Sequence, residues 1–252
     1  LVKFESSAVS FSDLEVPQDL EVQTFPTDDL NQAKTLKYAI MDRISEQICP
    51  KTKHLHRRFS LHPGKKYTLS QAYKFQNLPE HPRSITIAFD WDTDTSLDSS
   101  ILPIFDDGSE MQPICYYHPS NKGGSIKTSP VTKNGVNLGD DEKIHIKLHD
   151  VPARAKYFGI AVTSYREIPL NEINGVHFRV IDGETKKEMM FFDLNDMADE
   201  TGVILAILSR DGEDWQIWPC VKFFKGRNPD QAIAFLNEYL QSGVIEQFTS
   251  QK

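Results

Sequence analysis

From residue 84 onward, apolar side chains recur at every second position, and this alternation limits the possible folds more than any other feature. It spans residues 84–89, 143–149 and 176–181 and is typical of half-buried β-strands. Further apolar runs lie at 157–162, 189–192, 203–208 and 215–221. Turn dipeptides separate the runs at Asp107-Gly108, Asn134-Gly135, Asp182-Gly183 and Asp211-Gly212. Because the crossover helices of a parallel sheet are missing, the sequence predicts a mainly β protein, an antiparallel sandwich or barrel.

The segment before this region has a different period. Leu36, Ile40, Ile44 and Ile48 recur every fourth residue up to Pro50, which predicts an N-terminal amphipathic helix that ends there. The apolar face of this helix needs a surface to cover it. We therefore expect a protein partner bound through this helix, or a partner bound through the sandwich surface.

A second helix is predicted near the end of the chain. Asn228 can cap it, Pro229 suits its first turn, and Ile233, Leu236 and Leu240 form its apolar face. The predicted organisation is an N-terminal extension over 1–57, a sandwich domain with its closing C-terminal helix over 58–243, and a tail over 244–252.

Composition and charge exclude several classes of function. The formal net charge of −8 argues against general nucleic-acid binding, which depends on neutralising phosphates. No apolar stretch approaches the roughly 20 residues of a membrane helix. The three cysteines, Cys49, Cys115 and Cys220, have no metal-binding or redox spacing. These features favour a reducing compartment, and we expect a cytoplasmic protein.

The densest polar feature is an acidic segment that directly follows the strand ending at Phe89. Asp90, Asp92, Asp94 and Asp98 fall within nine residues, and carboxylates held this close repel one another unless solvent or a cation compensates. Calcium takes six to eight oxygen ligands of this kind. A calcium site and a solvated acidic loop both fit this segment by itself.

A second acidic segment strengthens the case for a metal. Asp140, Asp141 and Glu142 follow a glycine-containing stretch at 134–139 and precede the strand through Ile144. The glycines allow the backbone to turn its carbonyls toward an ion. We expect the two acidic segments to converge at one end of the sandwich.

The order of several phrases resembles the TerD family of tellurite-resistance and stress-response proteins. The likeness extends from about Arg58 to Gly243. The phrases are Trp91-Asp92, Leu97-Asp98-Ser99-Ser100, Gly124-Ser125-Ile126, Gly139-Asp140-Asp141-Glu142-Lys143-Ile144, Val151-Pro152-Ala153, Phe178-Arg179-Val180-Ile181-Asp182, Asp193-Leu194 and Asp211-Gly212-Glu213-Asp214-Trp215. The resemblance implies a calcium-binding β-sandwich that has no known catalytic machinery and acts in stress response or as a calcium-dependent scaffold.

The resemblance also implies a set of calcium ligands. The implied ligands are Asp90, Asp94, Asp98, Asp140, Asp141 and Glu142, with Asp92 as an additional acidic group. The family's usual Asp-Asn-Leu-Thr-Gly stretch is replaced here by residues 131–135, and Leu138 stands where another acidic residue is common. Because oxygens are lost, we expect weaker binding, or one ion in place of two.

Two other functions use the same residues. A calcium-dependent phospholipid-binding module of the C2 kind also places aspartates in loops at one edge of a sandwich, although the order of the phrases favours the TerD family and a protein partner over a membrane. A metal-dependent hydrolase would need a base or nucleophile, and neither a Gly-x-Ser-x-Gly elbow nor a reactive cysteine signature is present. We therefore expect a protein without enzymatic activity.

Overall fold

The computed structural model describes residues 58–78, 82–93, 95–105, 112–129, 140–194 and 198–244. The predicted N-terminal helix lies outside these residues. Within them, ten strands form two five-stranded antiparallel sheets whose inner faces share one hydrophobic core. The prediction of an antiparallel β-sandwich is confirmed.

In the first sheet, sheet one, the central strands are buried on both faces. Its strand order is β1-β10-β9-β6-β3. The strands are β1 (Tyr67–Thr68), β3 (Asp98–Phe105), β6 (Ala155–Thr163), β9 (Gly202–Asp211) and β10 (Asp214–Phe224). β9 is apolar without alternation from Val203 to Leu208 and is buried throughout this run, as expected for a strand covered on both sides.

The second sheet, sheet two, follows the predicted alternation more closely. Its strand order is β4-β5-β2-β7-β8. The strands are β2 (Ser84–Asp90), β4 (Ile126–Thr128), β5 (Glu142–Lys147), β7 (His177–Asp182) and β8 (Glu188–Asp193). In β5, Ile144 and Ile146 are buried whereas His145 and Lys147 are exposed.

The prediction that β2 is half-buried is wrong. Thr86 and Ala88 are buried as well as the apolar residues between them. Ala88 lies between Lys143 of β5 and Arg179 of β7 in the ladder, and long cationic side chains cover neighbouring surface with their aliphatic stems. A central strand with small outward residues is therefore shielded by its neighbours.

The C-terminal helix, α2 (Pro229–Tyr239), covers the outer face of sheet one. Asn228 caps it through a hydrogen bond from the backbone N–H of Gln231, and Pro229 lies in its first turn, as predicted. Gly159 of β6 permits the close approach, because a Cβ at this position would lie 2.4 Å from Cδ2 of Leu236. Beyond Tyr239 the chain continues as a π-helical turn, Leu240–Val244.

The sequence-based prediction misses a helix, α1 (Leu69–Phe75), and a long strand, β3, as well as the short strands β1 and β4. The helix α1 begins with a capping box in which Thr68 and Gln71 bond to each other's backbone N–H groups, so its signal was present in the sequence. The strand β3 begins at Asp98, within the segment predicted to be an acidic loop. Its first residues, Asp98-Ser99-Ser100, are polar, so the hydropathy pattern did not indicate a strand there.

A short segment joins the edges of the two sheets. Ile114 exchanges backbone hydrogen bonds with Ile101 of β3, and Ser120 pairs with Lys127 of β4. Between them, Cys115 and His118 close a two-residue hairpin loop. The free edges of β3 and β4 are thus partly covered, which protects them from pairing with another chain.

Candidate functional site

The two acidic segments meet at one end of the sandwich, as predicted. The backbone N–H of Asp141 donates to the carbonyl of Phe89 at 2.8 Å. In return, the N–H of Trp91 donates to Oδ2 of Asp141 at 3.1 Å. We call this region, formed by Asp90, Asp98, Asp141 and Glu142, the acidic end.

The acidic end joins the two sheets through Glu142. Its Oε2 accepts a hydrogen bond of 2.8 Å from the backbone N–H of Ser99. Ser99 belongs to the edge strand of sheet one, whereas Glu142 begins β5 of sheet two. Because Asp98 immediately precedes Ser99, this bond brings the Asp98 and Glu142 carboxyl groups within electrostatic range of each other.

Asp98 and Glu142 are buried acids whose charged forms are disfavoured. Asp98 is 7% exposed and Glu142 is 6% exposed. Burial raises the pKa of Asp98 to about 6. Burial also raises the pKa of Glu142 to about 7, and the charge of Asp98 adds to this effect while the hydrogen bonds from Ser99 oppose it. Near neutral pH a cation at this place would therefore favour ionisation of both groups.

Two buried oxygen atoms at the acidic end have no hydrogen-bond partner among the described residues. Oε1 of Glu142 is buried and has no hydrogen-bond partner among the described residues. Thr163 of β6 lies directly opposite Asp98 in the ladder, and its buried hydroxyl likewise has no partner in the described part of the chain. Buried polar atoms of this kind are uncommon and call for an explanation.

Asp90 and Asp92 lie beside the loop that precedes β7. Oδ2 of Asp90 is 3.6 Å from Nε2 of His177, whose Nδ1 is 3.0 Å from the carbonyl of Gly175. The backbone N–H of Asp92 donates to the carbonyl of Asn174 at 2.7 Å. Gly175 has a φ of +68°, and a Cβ there would lie 2.1 Å from Oδ2 of Asp92. The acidic loop is thus packed onto a glycine in the left-handed region.

Asp140 differs from the other acids because cations of the protein already surround it. Its Oδ1 lies 2.5 Å from Nη2 and 3.1 Å from Nε of Arg179. Its Oδ2 lies 3.2 Å from Nζ of Lys143. Asp140, which precedes β5, is thus tied to β7 across the central strand β2.

The remaining predicted ligand, Asp94, lies outside the described residues, as do residues 130–139. Within the described ranges, no three His, Cys, Asp or Glu side chains form a group arranged to hold a metal ion. Any ion held by the described side chains would thus have at most two of these groups at one point. The other oxygens would have to come from hydroxyls, backbone carbonyls or water, all of which calcium accepts.

Sequence reasoning missed three contributors to this site. Trp91 is almost fully buried, and its indole N–H donates to the carbonyl of Thr95 at 2.9 Å, which closes the acidic loop. His177 and Arg179 face the acids from β7. The alternation placed them on the outward side of a strand, but only the pairing of β7 with β2 reveals that they lie beside these acids.

The fold and the acidic end define a class of protein: an antiparallel β-sandwich, with ten strands over the described residues, and a cluster of buried acids where its two sheets meet. The family model for the TerD domain matches residues 59–226, which is most of the chain. The chain belongs to the TerD domain family.

Curated relatives have names that refer to tellurium and to stress. The tellurium resistance protein TerZ of Serratia marcescens is 26% identical over 134 residues, which are 53% of this chain and 69% of that protein. The general stress protein 16U of Bacillus subtilis (strain 168) is 26% identical over 147 residues, 52% of this chain and 76% of that protein. An uncharacterized B. subtilis protein, YceE, is 36% identical over 104 residues, 39% of this chain and 53% of its own length.

Two solved structures share the fold. A Streptomyces coelicolor A3(2) protein described as a homologue of the telluride resistance protein TerD has a TM-score of 0.50 at 14% identity, covering 58% of this chain and 92% of that one. A protein of unknown function, SAV2460, has a TM-score of 0.51 at 17% identity, covering 59% and 94%. In the described residues, no helix is long and apolar enough to cross a membrane.

Proposed function

We propose that this chain is a calcium-binding module of the TerD family that acts in a stress response as a non-catalytic interaction or scaffold protein. In this proposal one calcium ion binds at the acidic end. Stress and tellurium resistance are carried over from the names of the relatives. The alternative of a calcium-dependent phospholipid-binding module differs from this proposal in its partner and not in its ion.

The observation that carries the proposal is the buried pair formed by Asp98 and Glu142. Two acids at this depth are costly to ionise, and burial raises the pKa of both. Oε1 of Glu142 is buried without a hydrogen-bond partner among the described residues. A bound cation explains all three features, because it would compensate both charges and coordinate the free oxygen.

The chemistry of the oxygens at the acidic end fits calcium. The carboxylates of Asp98 and Glu142 would provide the charge, and the hydroxyl of Thr163 lies opposite Asp98. A divalent ion held by oxygens alone is typical of calcium or magnesium, and the irregular, partly hydroxyl-based surroundings suit the more flexible shell of calcium. Asp90, Asp92 and Asp141 would add negative potential, whereas Asp140 is held by Arg179 and Lys143.

Bound calcium would have a mechanical consequence. Asp98 begins β3 of sheet one and Glu142 begins β5 of sheet two, so an ion shared by them would tie the two sheets together. The stability of the fold should then rise with free calcium as RT ln(1 + [L]/Kd), since the unfolded chain has no such site. The effect should diminish in acid, because protons compete for the ligand carboxylates.

The experiment is a calorimetric calcium titration of chelator-stripped protein. Asp98→Asn and Glu142→Gln keep the size of each side chain and remove its charge. Glu213→Gln is the matched control, because it removes one exposed carboxylate from the β9–β10 turn. We expect saturable binding in the natural sequence and in Glu213→Gln, and its loss in the other two variants. Equal binding in all four proteins, or none in the natural sequence, would refute the proposal.

The partner is tested separately with the same proteins. Calcium-dependent sedimentation with vesicles of phosphatidylcholine and phosphatidylserine would favour the phospholipid-binding alternative. We expect no sedimentation, and we expect the calcium-loaded protein to bind a protein partner instead.

A further inference from the structure

Three tyrosines stand out on the surface of the sandwich. Tyr116 and Tyr117 are each 42% exposed and Tyr165 is 56% exposed. Among the residues that the structure describes, they are the large hydrophobic side chains found exposed. We call Tyr116, Tyr117 and Tyr165 the tyrosine patch. Tyrosine is enriched where proteins bind one another, because its ring gives large contact area at a small cost in side-chain entropy.

The two adjacent tyrosines occupy a rigid hairpin tip. The N–H groups of Cys115 and His118 each donate to the carbonyl of the other, at 3.0 and 3.1 Å. The rings of Tyr116 and Tyr117 meet edge to face, with 5.0 Å between their centroids. Turn tips usually carry small or polar residues, so two aromatic rings here are unusual. Because these bonds already fix the backbone of the tip, little conformational entropy is lost on binding, which favours affinity.

The register of the hairpin places its tip toward the acidic end. Ile114 pairs antiparallel with Ile101 of β3, so the residues after Ile114 run back along β3 toward Asp98. The electrostatics agree: burial raises the pKa of Tyr116, and the negative charge of Asp98 raises it further. Tyr165 follows the end of β6, where Thr163 pairs with Asp98.

The charged groups around the tyrosine patch indicate which kind of side chain it can bind. Burial raises the pKa of the Tyr117 hydroxyl, and the nearby carboxylate of Asp230 in the first turn of α2 raises it further. The guanidinium of Arg227 lies over the ring of Tyr165, 6.0 Å from its centroid, and its Nη1 is 3.9 Å from Oε1 of Glu167. An arginine of the chain itself is thus already held between an aromatic face and a carboxylate.

We propose that the tyrosine patch is the docking surface for an arginine- or lysine-containing segment of a protein partner, held by the tyrosine faces together with the carboxylate of Asp230. Cations bind the faces of aromatic rings, and carboxylates beside the rings add charge attraction. The net charge of −8 increases the rate of encounter with a basic segment. Anionic membrane lipids would be repelled by the same carboxylates.

This inference names the surface for the partner in the proposed function, and it does not require that calcium binds. The two can fail separately, because the peptide measurement is made in chelator. Because Asp230 is not part of the acidic end, we expect peptide binding to persist when calcium is bound there.

The test is fluorescence anisotropy of a labelled peptide of alternating arginine and glycine, with a glutamate–glycine peptide for comparison. The double variant Tyr116→Ala/Tyr117→Ala removes two rings that are exposed, so its melting temperature should match that of the natural sequence. Tyr116→Phe keeps the aromatic face. Asp230→Asn removes a charge at the patch, and Glu213→Gln removes one from the β9–β10 turn at the other end of sheet one.

We expect the arginine peptide to bind and the glutamate peptide not to bind. The double alanine variant should weaken the affinity by about tenfold, which corresponds to the loss of two cation–π contacts. Asp230→Asn should weaken binding, whereas Tyr116→Phe and Glu213→Gln should not. Undiminished binding by the double variant would overturn the proposal. Loss of vesicle binding or of self-association in the double variant, without any arginine-peptide binding, would also overturn it in favour of a membrane or a second copy of the chain.

Discussion

The backbone N–H of Ser99 donates to Oε2 of Glu142 over 2.8 Å, and this hydrogen bond ties the start of β3 to the start of β5. The two strands belong to different sheets. The bond therefore directs an acidic side chain into the gap between the sheets, where water is largely excluded. The elevated pKa of Glu142 is a direct consequence of this position.

The first prediction concerns stability as a function of pH in the absence of calcium. Burial raises the folded-state pKa of Asp98 to about 6 and that of Glu142 to about 7, above the values of the unfolded chain. The folded state therefore binds protons more tightly than the unfolded state. The stability from these two groups is present at low pH and is lost as pH rises through their folded pKa values. The unfolding midpoint in chelator should rise on going from about pH 8 to about pH 5.

Neutral variants provide the control for this pH dependence. Asp98→Asn and Glu142→Gln resemble the protonated acids, so each should raise stability near pH 8 in chelator and flatten the pH profile. Urea unfolding at several pH values measures both effects. If the pH profile of the combined variant Asp98→Asn/Glu142→Gln is as steep as that of the natural sequence, the pH dependence belongs to other groups.

The second prediction concerns Asp140, for which neutralisation should have the opposite effect. Its carboxylate is held by Arg179 and Lys143, so Asp140→Asn removes charge-assisted hydrogen bonds from a largely buried site. We expect a loss of about 1.5–3 kcal/mol in the free energy of unfolding. Lys143→Gln should cost less than about 1 kcal/mol, because the side chain of this lysine is partly open to solvent, which screens its charge. Urea unfolding near neutral pH distinguishes these outcomes, and a stabilising Asp140→Asn would contradict the structural role of this residue.

The third prediction tests how the acidic loop packs against Gly175. An alanine there would be strained by the φ of +68° and would also meet Oδ2 of Asp92. Gly64 has a φ of +78° with nothing within 4 Å of an added Cβ, so Gly64→Ala is a matched control that carries the backbone cost alone, about 1–2 kcal/mol. We expect Gly175→Ala to destabilise the protein more than this control.

Calcium titration of the two glycine variants adds a functional measurement. Since Gly175 positions Asp92 beside the acidic end, Gly175→Ala should also lower the calcium affinity. Gly64→Ala should leave the affinity unchanged. Equal stability and equal affinity in the two variants would show that the loop does not depend on Gly175.

The fourth prediction concerns the attachment of α2 to sheet one. Leu236 is fully buried, and the absence of a side chain at Gly159 makes room for it. Leu236→Ala should cost about 2–5 kcal/mol, because it leaves a cavity under the helix. Glu238→Ala, an exposed position on the same helix, should change stability by less than about 0.5 kcal/mol. Thermal unfolding of both variants measures the difference.

Much of the fold could be predicted from local pattern. The alternation in β5, the Asp182-Gly183 and Asp211-Gly212 turns and the cap of α2 at Asn228 all appear where the sequence indicates them. β3 was missed because its first residues are polar, although they are buried. Local hydropathy cannot distinguish a polar strand start that faces a site from a solvated loop.

The sequence by itself determined that the chain forms antiparallel strands, where its second helix begins, and that two acidic segments exist. These are local properties, because they depend on residue spacing within a few positions of the chain. Only the tertiary structure decided which acids differ in environment: Asp140 is neutralised by Arg179, whereas Glu142 is enclosed between the sheets. The pairing of β2 with β5 and β7 and the packing of the two sheets set these environments. Burial and electrostatic potential are sums over neighbours that lie far apart in the sequence, so no local pattern contains them.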